Sequence, residues 1–403
     1  MSCSDSPAQG WQRTVAVDHD AAAYHLPASI AGTQKPVLAG RPVVVGLIGP
    51  GRVGTELLRL WQQHPACYGL PLHGVVNTRH ALLSDASLLA SAAADKNSDY
   101  HNNATDLLLA RLGHHKRQSV TSFAQQLQSL KAQRHVLIDA TASAEVAAQH
   151  SNWLRAGMRV VTANKWALAA KAADYADLQQ AGAGNADNYH AATTVMAGLP
   201  VLSTLRRLLQ SGEQIRRISA VLSGSLSALT AACQQGERFA EALTRLQQQG
   251  LTEPDPRLDL SGLDVARKLV IIARTIGLPL ELEQVDVQSL LPAELLPVPA
   301  LDVSVHGAQL DRHWQLLSEN LSGKLVYRAD LEVFADGSCA AQCRLLGLSA
   351  EDPMNMLRGT DNQVQIITDN YADQPLLIQG AGAGIAVTAR QLFADLLQCW
   401  QST

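Results

Sequence analysis

Carboxylates and an ammonium group are concentrated in one short part of the chain, residues 250–268. Glu253 and Asp255 alternate with Pro254 and Pro256, which fix the backbone φ angle and remove two amide donors. We therefore predict a stiff loop that holds both acids outside regular structure. Such a loop suits a small zwitterionic ligand, because carboxylates bind its ammonium group and a nearby lysine binds its oxygen.

Asp264 and Lys268 follow this loop and lie four residues apart. Ser261 is predicted to cap a helix that begins just after it, which places the two charged side chains on one helical face. The apolar stripe of this helix lies on the opposite side and consists of Val265, Ala266, Leu269, Ala273 and Ile276. Taken alone, the pair is most simply an exposed ion pair that contributes about a few tenths of a kcal/mol. The alternative is that the pair belongs to a binding site. Apolar Ile271 lies on the same helical face as Asp264 and Lys268, and the acidic loop directly precedes this helix.

A glycine-rich turn forms the second candidate site. The nearly all-apolar run 42–48 predicts a strand buried on both faces of a parallel sheet, and residues 55–63 predict a helix. Between them lie Gly49, Pro50, Gly51, Arg52, Val53 and Gly54. In this strand–turn–helix context, the spacing G-x-G-x-x-G predicts dinucleotide binding. The first glycine allows the tight turn, the second lets a pyrophosphate approach, and the third lets helix and strand pack closely.

The residues after the second predicted strand, 72–76, bear on the choice of cofactor. NAD sites commonly place an acid here to bind the ribose 2′-hydroxyl, but this chain has Asn77, Thr78 and Arg79. Arg79 can pair with a 2′-phosphate, so NADP(H) is favoured while NAD(H) stays possible. The alternative is that Arg79 is a solvated loop residue.

Two further strand-like runs, 136–143 and 159–165, end in polar residues. Because ligands of open α/β sheets bind at the carboxyl ends of the strands, Thr141, Ala163 and Lys165 are expected to face the cofactor crevice. Lys165 by itself would be an ordinary surface lysine, and only its place at a strand end makes it a candidate.

The pattern changes after about residue 185. Helices are predicted over 201–209, 239–249 and 387–400, and strands over 215–222, 325–334, 339–346, 363–368 and 376–379. The glycine-rich run 380–384 precedes the last helix, which suggests that the tail returns to the cofactor with Gly384 at the helix start. The alternative is a flexible hinge before a packing helix.

Composition sets the broad class of the protein. A chain of 403 residues with 47% hydrophobic residues can bury more than one core, and its net charge of −4 gives no reason to expect a nucleic-acid partner. Six scattered cysteines and the lack of a membrane-length apolar run predict a cytoplasmic protein without membrane association. We expect an α/β fold with a flexible arm over 1–40, a Rossmann-type NAD(P)-binding domain over 41–185 completed by 380–403, and an α+β catalytic and dimerisation domain with a mixed sheet over 186–379.

Several of these motifs, in this order, resemble those of homoserine dehydrogenases, most nearly the dehydrogenase portion of the bifunctional aspartokinase–homoserine dehydrogenases. The matching runs are 46–54, 161–165, 197–200, 223–227, 250–268 and 380–384. The run 250–268 is highly specific to that family, and the others support it by order and spacing. The resemblance implies reversible NAD(P)-dependent oxidation of L-homoserine to L-aspartate 4-semialdehyde, in threonine and methionine biosynthesis, by a homodimer. No part of the chain resembles an aspartokinase, so a stand-alone dehydrogenase, or one that has lost its kinase partner, is expected.

The resemblance also implies roles for individual residues. Lys268 and Lys165 match the two lysines at the reacting oxygen, and either could serve as proton donor and acceptor. Asp264 matches the acid that orients substrate and lysine. The implied substrate-binding residues are Glu253, which holds the ammonium group, Asp259 and Gly224.

One loop departs from the family pattern. Residues 190–196 carry Ala192 where the family usually has an acid or amide, with one residue apparently inserted. In the family, main-chain carbonyls here help to bind a monovalent cation, which implies Na⁺ or K⁺ at Val195, Ala197 and Leu199. This departure leaves two alternatives to an active homoserine dehydrogenase: a non-catalytic or weakly active NADP-binding paralogue with a regulatory role, and a dehydrogenase for a related amino alcohol.

Overall fold

Two six-stranded sheets and the helices around them make up the described part of the chain. A computed structural model describes residues 43–63, 70–93, 104–115, 117–185, 187–253, 255–298 and 300–401. The arm predicted over residues 1–40 lies outside these ranges. The two sheets confirm the predicted α/β class, with a Rossmann-type sheet followed by a second, mixed sheet.

The first sheet is almost entirely parallel. Its strands are β1 (Val43–Ile48), β2 (Leu72–Val76), β3 (Ala81–Leu83), β4 (Arg134–Asp139), β5 (Arg159–Thr162) and β6 (Tyr189–His190). They lie in the order β3-β2-β1-β4-β5-β6, which is the order of a dinucleotide-binding sheet, although β3 pairs with β2 in the antiparallel direction. Every residue of β1 and β2 is buried, as expected for apolar strands covered on both faces.

Seven helices connect or cover the strands of this sheet. They are α1 (Arg52–Gln63), α2 (Leu88–Ala93), α3 (Ala104–Gly113), α4 (Val120–Ser129), α5 (Ala144–Ala147), α6 (His150–Arg155) and α7 (Ala172–Leu178). Helix α1 begins directly after the glycine turn and buries Leu57, Leu58 and Trp61, which recur at helical spacing. The helix start is therefore held at the carboxyl end of β1.

The second sheet is mainly antiparallel. Its strands are β7 (Ile215–Val221), β8 (Asp286–Val287), β9 (Lys324–Val333), β10 (Cys339–Leu348), β11 (Asp361–Thr368) and β12 (Leu376–Ala381). They lie in the order β12-β11-β7-β9-β10-β8, and the pairing of β8 with β10 is parallel. The predicted hairpin is confirmed as β9 and β10, and the predicted strand pair near the end as β11 and β12.

The helices of this half bring the chain back to the first sheet. They are α8 (Val201–Gln210), α9 (Gly224–Gln234), α10 (Phe239–Gln248), α11 (Arg257–Leu260), α12 (Leu263–Thr275), α13 (Val303–Ser318) and α14 (Ile385–Gln401). Helices α9 and α12 pack against β9, whereas α14 packs against α1 and β5. Arg159 Nη1 donates to the Cys399 carbonyl at 2.7 Å, and Arg134 Nη1 donates to the Trp400 carbonyl at 3.3 Å. These bonds tie the C-terminal helix to the cofactor-type sheet.

Two local predictions were wrong. Gly262, and not Ser261, occupies the cap position before α12, with a φ of 73° that disfavours any other residue. A Cβ atom at Gly262 would also lie 2.2 Å from the Tyr327 hydroxyl oxygen, so close packing requires glycine here. The run 380–384 is not all loop either, because Gly380 and Ala381 pair with β11 as the end of β12.

Helix α13 escaped prediction because its apolar pattern is weak. Within this helix only Val303 and Leu310 are fully buried, and Val305 and Leu316 are exposed. A helix that buries so little carries little periodic signal in its sequence.

Candidate active site

Two lysines converge on one carboxylate where helix α12 meets the end of strand β5. Lys268 Nζ lies 2.9 Å from Asp264 Oδ2, and Lys165 Nζ lies 3.4 Å from Asp264 Oδ1. Lys268 Nζ also donates to the Leu222 carbonyl at 2.7 Å. The structure therefore brings together three predicted residues that come from two distant parts of the chain.

The exposed ion pair considered from the sequence does not describe Lys268. Only 8% of this residue is exposed, because α12 is buried on nearly every side. Its side chain lies between α12 and the Leu222 carbonyl, and Ile271 is buried beside it. A buried ammonium group must be paired, and here a carboxylate and a carbonyl supply its partners.

The electrostatics favour the ionised form of Asp264. Burial opposes ionisation of its carboxyl group, but the ammonium groups of Lys268 and Lys165 outweigh burial and hold its pKa well below the usual range. The site thus keeps a fixed negative charge between two positive ones.

Replacing Asp264 by asparagine is expected to lower the melting temperature at neutral pH by a few degrees, because two ammonium groups then face each other without a carboxylate. Since the folded pKa of Asp264 is depressed, its contribution is fully present above the unfolded value of about 3.9 and is lost as the pH falls through the folded value. The difference in melting temperature between wild type and Asp264→Asn should stay constant from neutral pH to about pH 5 and become smaller below about pH 4. Thermal unfolding of both proteins over this pH range measures this difference. A difference in melting temperature that changes between pH 5 and pH 7 would contradict the depressed pKa of Asp264.

Asp259 anchors the acidic loop. Its Oδ2 accepts a hydrogen bond from the Glu253 amide at 2.8 Å, and its Oδ1 accepts one from Ser225 Oγ at 2.6 Å. Burial raises the pKa of Asp259, and these two hydrogen bonds oppose the rise. The carboxylate of Glu253 itself lies on an exposed residue, whereas Asp255 is engaged by Arg257 in an ion pair of 2.6 Å. Of the loop acids, Glu253 is the one placed to meet a ligand.

Helix α9 begins beside this loop. Gly224 is its first residue, and Ser223 caps the helix by accepting a hydrogen bond from the Leu226 amide at 3.2 Å. A Cβ atom at Gly224 would lie 3.0 Å from the Thr360 carbonyl oxygen, so the glycine allows the helix start to approach the end of the second sheet.

The glycine turn forms one wall of a large cavity at the carboxyl ends of β1, β2 and β4. Gly49 adopts a φ of 85°, and a Cβ atom at Gly54 would lie 2.3 Å from the Gly49 carbonyl oxygen, so both positions need glycine. Nothing lies within 4 Å of a Cβ atom built on Gly51, which leaves its backbone open to a ligand. The cavity has a volume of about 840 Å³ and also includes Asn77 and Thr141 in its wall. These features fit a dinucleotide with its pyrophosphate at the start of α1.

Other predicted cofactor residues lie outside the wall of this cavity. Arg52 and Val53 begin α1, and Arg79 is exposed on the turn after β2. The Arg79 amide donates to Asn77 Oδ1 at 2.8 Å, so the Asn77 side chain shapes this turn. The remaining predicted cofactor residues are placed at the end of β5 or before α14: Ala163, Lys165 and Gly384.

Sequence reasoning missed the far wall of the cavity, which is formed by residues 118–121 at the start of α4. Ser119 caps this helix by accepting a hydrogen bond from the Ser122 amide at 3.2 Å. The serine cap was a detectable signal of a helix start, but its place beside the glycine turn depends on the sheet order.

The loop that departs from the family pattern makes a sharp turn. Met196 and Ala197 have φ angles of 62° and 48°, and the Leu199 carbonyl accepts a hydrogen bond from the Val201 amide at 2.8 Å. Ala192 begins a short 3₁₀ turn. In the described ranges no cluster of three or more His, Cys, Asp or Glu side chains could hold a metal ion.

Comparison with known proteins gives consistent matches. The family model described as homoserine dehydrogenase matches residues 200–397, and the model described as homoserine dehydrogenase, NAD binding domain, matches residues 49–191. The chain is 32% identical to the homoserine dehydrogenase of Emericella nidulans over 89% of this chain and 98% of that one. It is 33% identical to bifunctional aspartokinase/homoserine dehydrogenase 1, chloroplastic, of Zea mays over 90% of this chain, and it spans 39% of the length of that relative.

Solved structures share the fold over nearly the same part of this chain as the relatives above. A Candida auris protein described as of unknown function has a TM-score of 0.74 at 26% identity, covering 89% of this chain and 98% of that one. A hyperthermophilic archaeal homoserine dehydrogenase in complex with NADPH has a TM-score of 0.65 at 21% identity, covering 89% and 97%. The chain thus has the fold of these solved structures.

Proposed function

The chain belongs to the homoserine dehydrogenase family, and from this membership we propose that it catalyses the reversible oxidation of L-homoserine to L-aspartate 4-semialdehyde with a nicotinamide dinucleotide. This reaction lies on the threonine and methionine branch of the aspartate pathway. The observation that carries the proposal is the convergence of Lys165 and Lys268 on Asp264 beside the acidic loop.

Each residue of the site has a proposed role in this reaction. Lys165, as an ammonium group, stabilises the oxygen that becomes alkoxide-like. Lys268 carries the proton: its neutral amine accepts the proton during oxidation, and its ammonium form returns it in the reverse reaction. Asp264 holds the two ammonium groups in place. Glu253 binds the substrate ammonium group, and Asp259 holds the Glu253 backbone. When bound, the nicotinamide supplies the hydride chemistry, and the protein supplies orientation and charge.

The test of the proposed function is a turnover assay with purified protein. Homoserine-dependent reduction of NADP⁺, followed by the absorbance of NADPH, is expected, as is the reverse reaction with the semialdehyde. A panel of related amino alcohols tests the substrate. Tight NADPH binding with no turnover in either direction would contradict the proposal and favour a non-catalytic paralogue.

NADP(H) is the proposed physiological cofactor, because the turn after β2 has no acid and carries an exposed arginine. Replacing Arg79 by alanine is expected to raise the KM for NADP⁺ about tenfold, which corresponds to the loss of one charge-assisted contact of about 1.4 kcal/mol. The KM for NAD⁺ should change less than twofold, since NAD⁺ lacks the 2′-phosphate. Steady-state kinetics with both cofactors measure these KM values. Equal changes in KM for NADP⁺ and NAD⁺ would contradict a contact between Arg79 and the 2′-phosphate.

A monovalent cation, Na⁺ or K⁺, is proposed to bind the carbonyl oxygens of Val195, Ala197 and Leu199. The left-handed φ angle of Ala197 supports the proposal, because it makes the compact turn that groups such carbonyls. Turnover in potassium chloride is expected to exceed turnover in tetramethylammonium chloride of equal ionic strength by severalfold. Identical rates in the two salts would show that the loop works without a cation.

The remaining proposals concern organisation. We infer a cofactor domain over 41–185 completed by 380–403 and a catalytic domain over 186–379, which agrees with the packing of α14 on α1. A homodimer is proposed from the family, and a cytoplasmic location from the scattered spacing of the cysteines in the sequence. None of the helices in those ranges is long and apolar enough to cross a membrane.

A further inference from the structure

A buried hydrogen-bond network lies beneath the loops at the ends of β4 and β5. Asp139, the last residue of β4, is fully buried, and its carboxylate accepts four hydrogen bonds. Oδ1 accepts from the Thr141 amide at 2.9 Å and from Thr141 Oγ1 at 2.7 Å. Oδ2 accepts from Asn164 Nδ2 at 2.9 Å and lies 3.0 Å from His150 Nε2. The mechanism proposed above uses none of these contacts directly.

Asn164 carries this network to the residue next to it, Lys165. Its Nδ2 also donates to the Ser143 carbonyl at 2.8 Å, and its Oδ1 accepts from the Trp166 amide at 3.1 Å. The Asn164 side chain is thus bound to Asp139 and to the Ser143 carbonyl, and it also binds the backbone of Trp166 on the other side of Lys165. As a result, the Lys165 backbone cannot shift unless the Asn164 side chain moves.

A second set of contacts fixes the same loop from outside. Trp166 Nε1 donates to the Ala142 carbonyl at 3.1 Å. The guanidinium of Arg267, the neighbour of Lys268 on α12, lies 4.1 Å from the centre of the Trp166 ring, within the range of a cation–π contact. The loop is thus held both to β4 below it and to α12 opposite it.

The other end of the network is closed by His150 and Tyr189, which are both buried. His150 Nδ1 lies 3.0 Å from the Tyr189 hydroxyl. Because the carboxylate only accepts, the histidine Nε2 carries a proton and donates it to Asp139 Oδ2. Burial raises the pKa of Tyr189, which keeps its hydroxyl protonated. Both ring nitrogens of His150 therefore have a partner, and the ring is held against the Asp139 carboxylate.

We propose that Asp139 is a positioning residue that acts through Asn164 to fix the place of Lys165 opposite Asp264. This inference rests on the role proposed for Lys165 in homoserine oxidation. The ammonium group of Lys165 is held at one end by its pairing with Asp264 and at the other by its backbone, so a shift of that backbone moves the group or breaks the pairing. A displacement of about 1 Å at such a group costs on the order of a hundredfold in rate.

The central variant is Asp139→Asn. The new amide has a single acceptor oxygen for donors that lie on two sides, so either the Thr141 donors or those of Asn164 and His150 lose their acceptor, and the network around Asn164 must rearrange. We expect kcat to fall about ten- to hundredfold, with a smaller change in the KM for homoserine. In a Lys165→Ala background, Asp139→Asn should lower kcat less than about twofold further, because the residue through which it acts is absent.

Tyr189→Phe is the matched control. It removes a hydroxyl from the same buried network but leaves the contacts of Asp139 with Thr141 and Asn164 intact. It should lower the melting temperature and leave kcat within about twofold of wild type. If Asp139→Asn does not fold, Asn164→Ala tests the inference instead. It removes the hydrogen bond between Asn164 and Asp139 but leaves the other three donors to Asp139 in place, and it should show the same loss of kcat.

Hydrogen exchange provides a readout that does not depend on turnover. The Trp166 amide, which donates to Asn164 Oδ1, should exchange faster in Asp139→Asn than in Tyr189→Phe. A wild-type protein without homoserine turnover would refute the proposed function, but the exchange rates would still test this inference. The inference is overturned if folded Asp139→Asn matches Tyr189→Phe in kcat and Trp166 exchange, or if its effect is undiminished in the Lys165→Ala background.

Discussion

Replacing Lys268 by methionine is expected to lower kcat for homoserine oxidation by about a thousandfold, within the range of general acid–base catalysis. Methionine has a similar length and no charge, so it removes the proton carrier while filling the same space. Lys268 is buried against the Leu222 carbonyl and Asp264, and no other described lysine shares both contacts. The remaining lysine, Lys165, is farther from the carboxylate, at 3.4 Å, and cannot occupy the buried position.

Stopped-flow or steady-state measurement of NADPH formation tests this expectation, together with NADPH titration to confirm that the cofactor still binds. Lys171→Met is the matched control, because Lys171 is an exposed lysine before α7 and should give wild-type rates. Lys268→Ala adds a second test: small primary amines in the buffer should restore part of the lost rate by entering the space left by the side chain. Equal rates in wild type and Lys268→Met would contradict the role of Lys268 as the proton carrier.

Replacing Gly51 by alanine is expected to raise the dissociation constant of NADPH roughly a hundredfold, equivalent to about 3 kcal/mol, without loss of stability. A Cβ atom there meets no protein atom within 4 Å, so the fold should accept it. The same atom projects where the pyrophosphate must approach the backbone. Binding would be lost for a steric reason that only a ligand creates.

Gly54→Ala separates this effect from damage to the turn. Its Cβ atom would lie 2.3 Å from the Gly49 carbonyl oxygen, so the helix must move away from the strand. We expect about 1–3 kcal/mol of destabilisation together with weaker binding. Fluorescence titration and thermal melting distinguish the two variants. Gly51→Ala that binds NADPH as tightly as wild type would mean that the pyrophosphate does not pass over this turn.

The local features of the cofactor site were predictable because each depends on neighbours in the sequence. An apolar run followed by three spaced glycines predicts a buried strand, a tight turn and a helix start, and the structure confirms all three at Val43–Ile48 and Arg52–Gln63. The acidic loop was predicted in the same way from its prolines. Ser261 misled the prediction of the cap, because the need for glycine at position 262 comes from Tyr327, a residue of a distant strand.

The sequence by itself therefore determined the dinucleotide turn, the positions of the main strands along the chain and the specific motif that identifies the family. Tertiary structure decided whether the charged residues form a site. Helical spacing places Asp264 and Lys268 on one face, but it does not reveal that Lys268 is buried or that Lys165 approaches from the end of β5. Nor does it reveal the four donors around Asp139. The physical reason is that burial and pairing of a charge depend on which distant segments pack around it, and the strand order of the two sheets sets that packing.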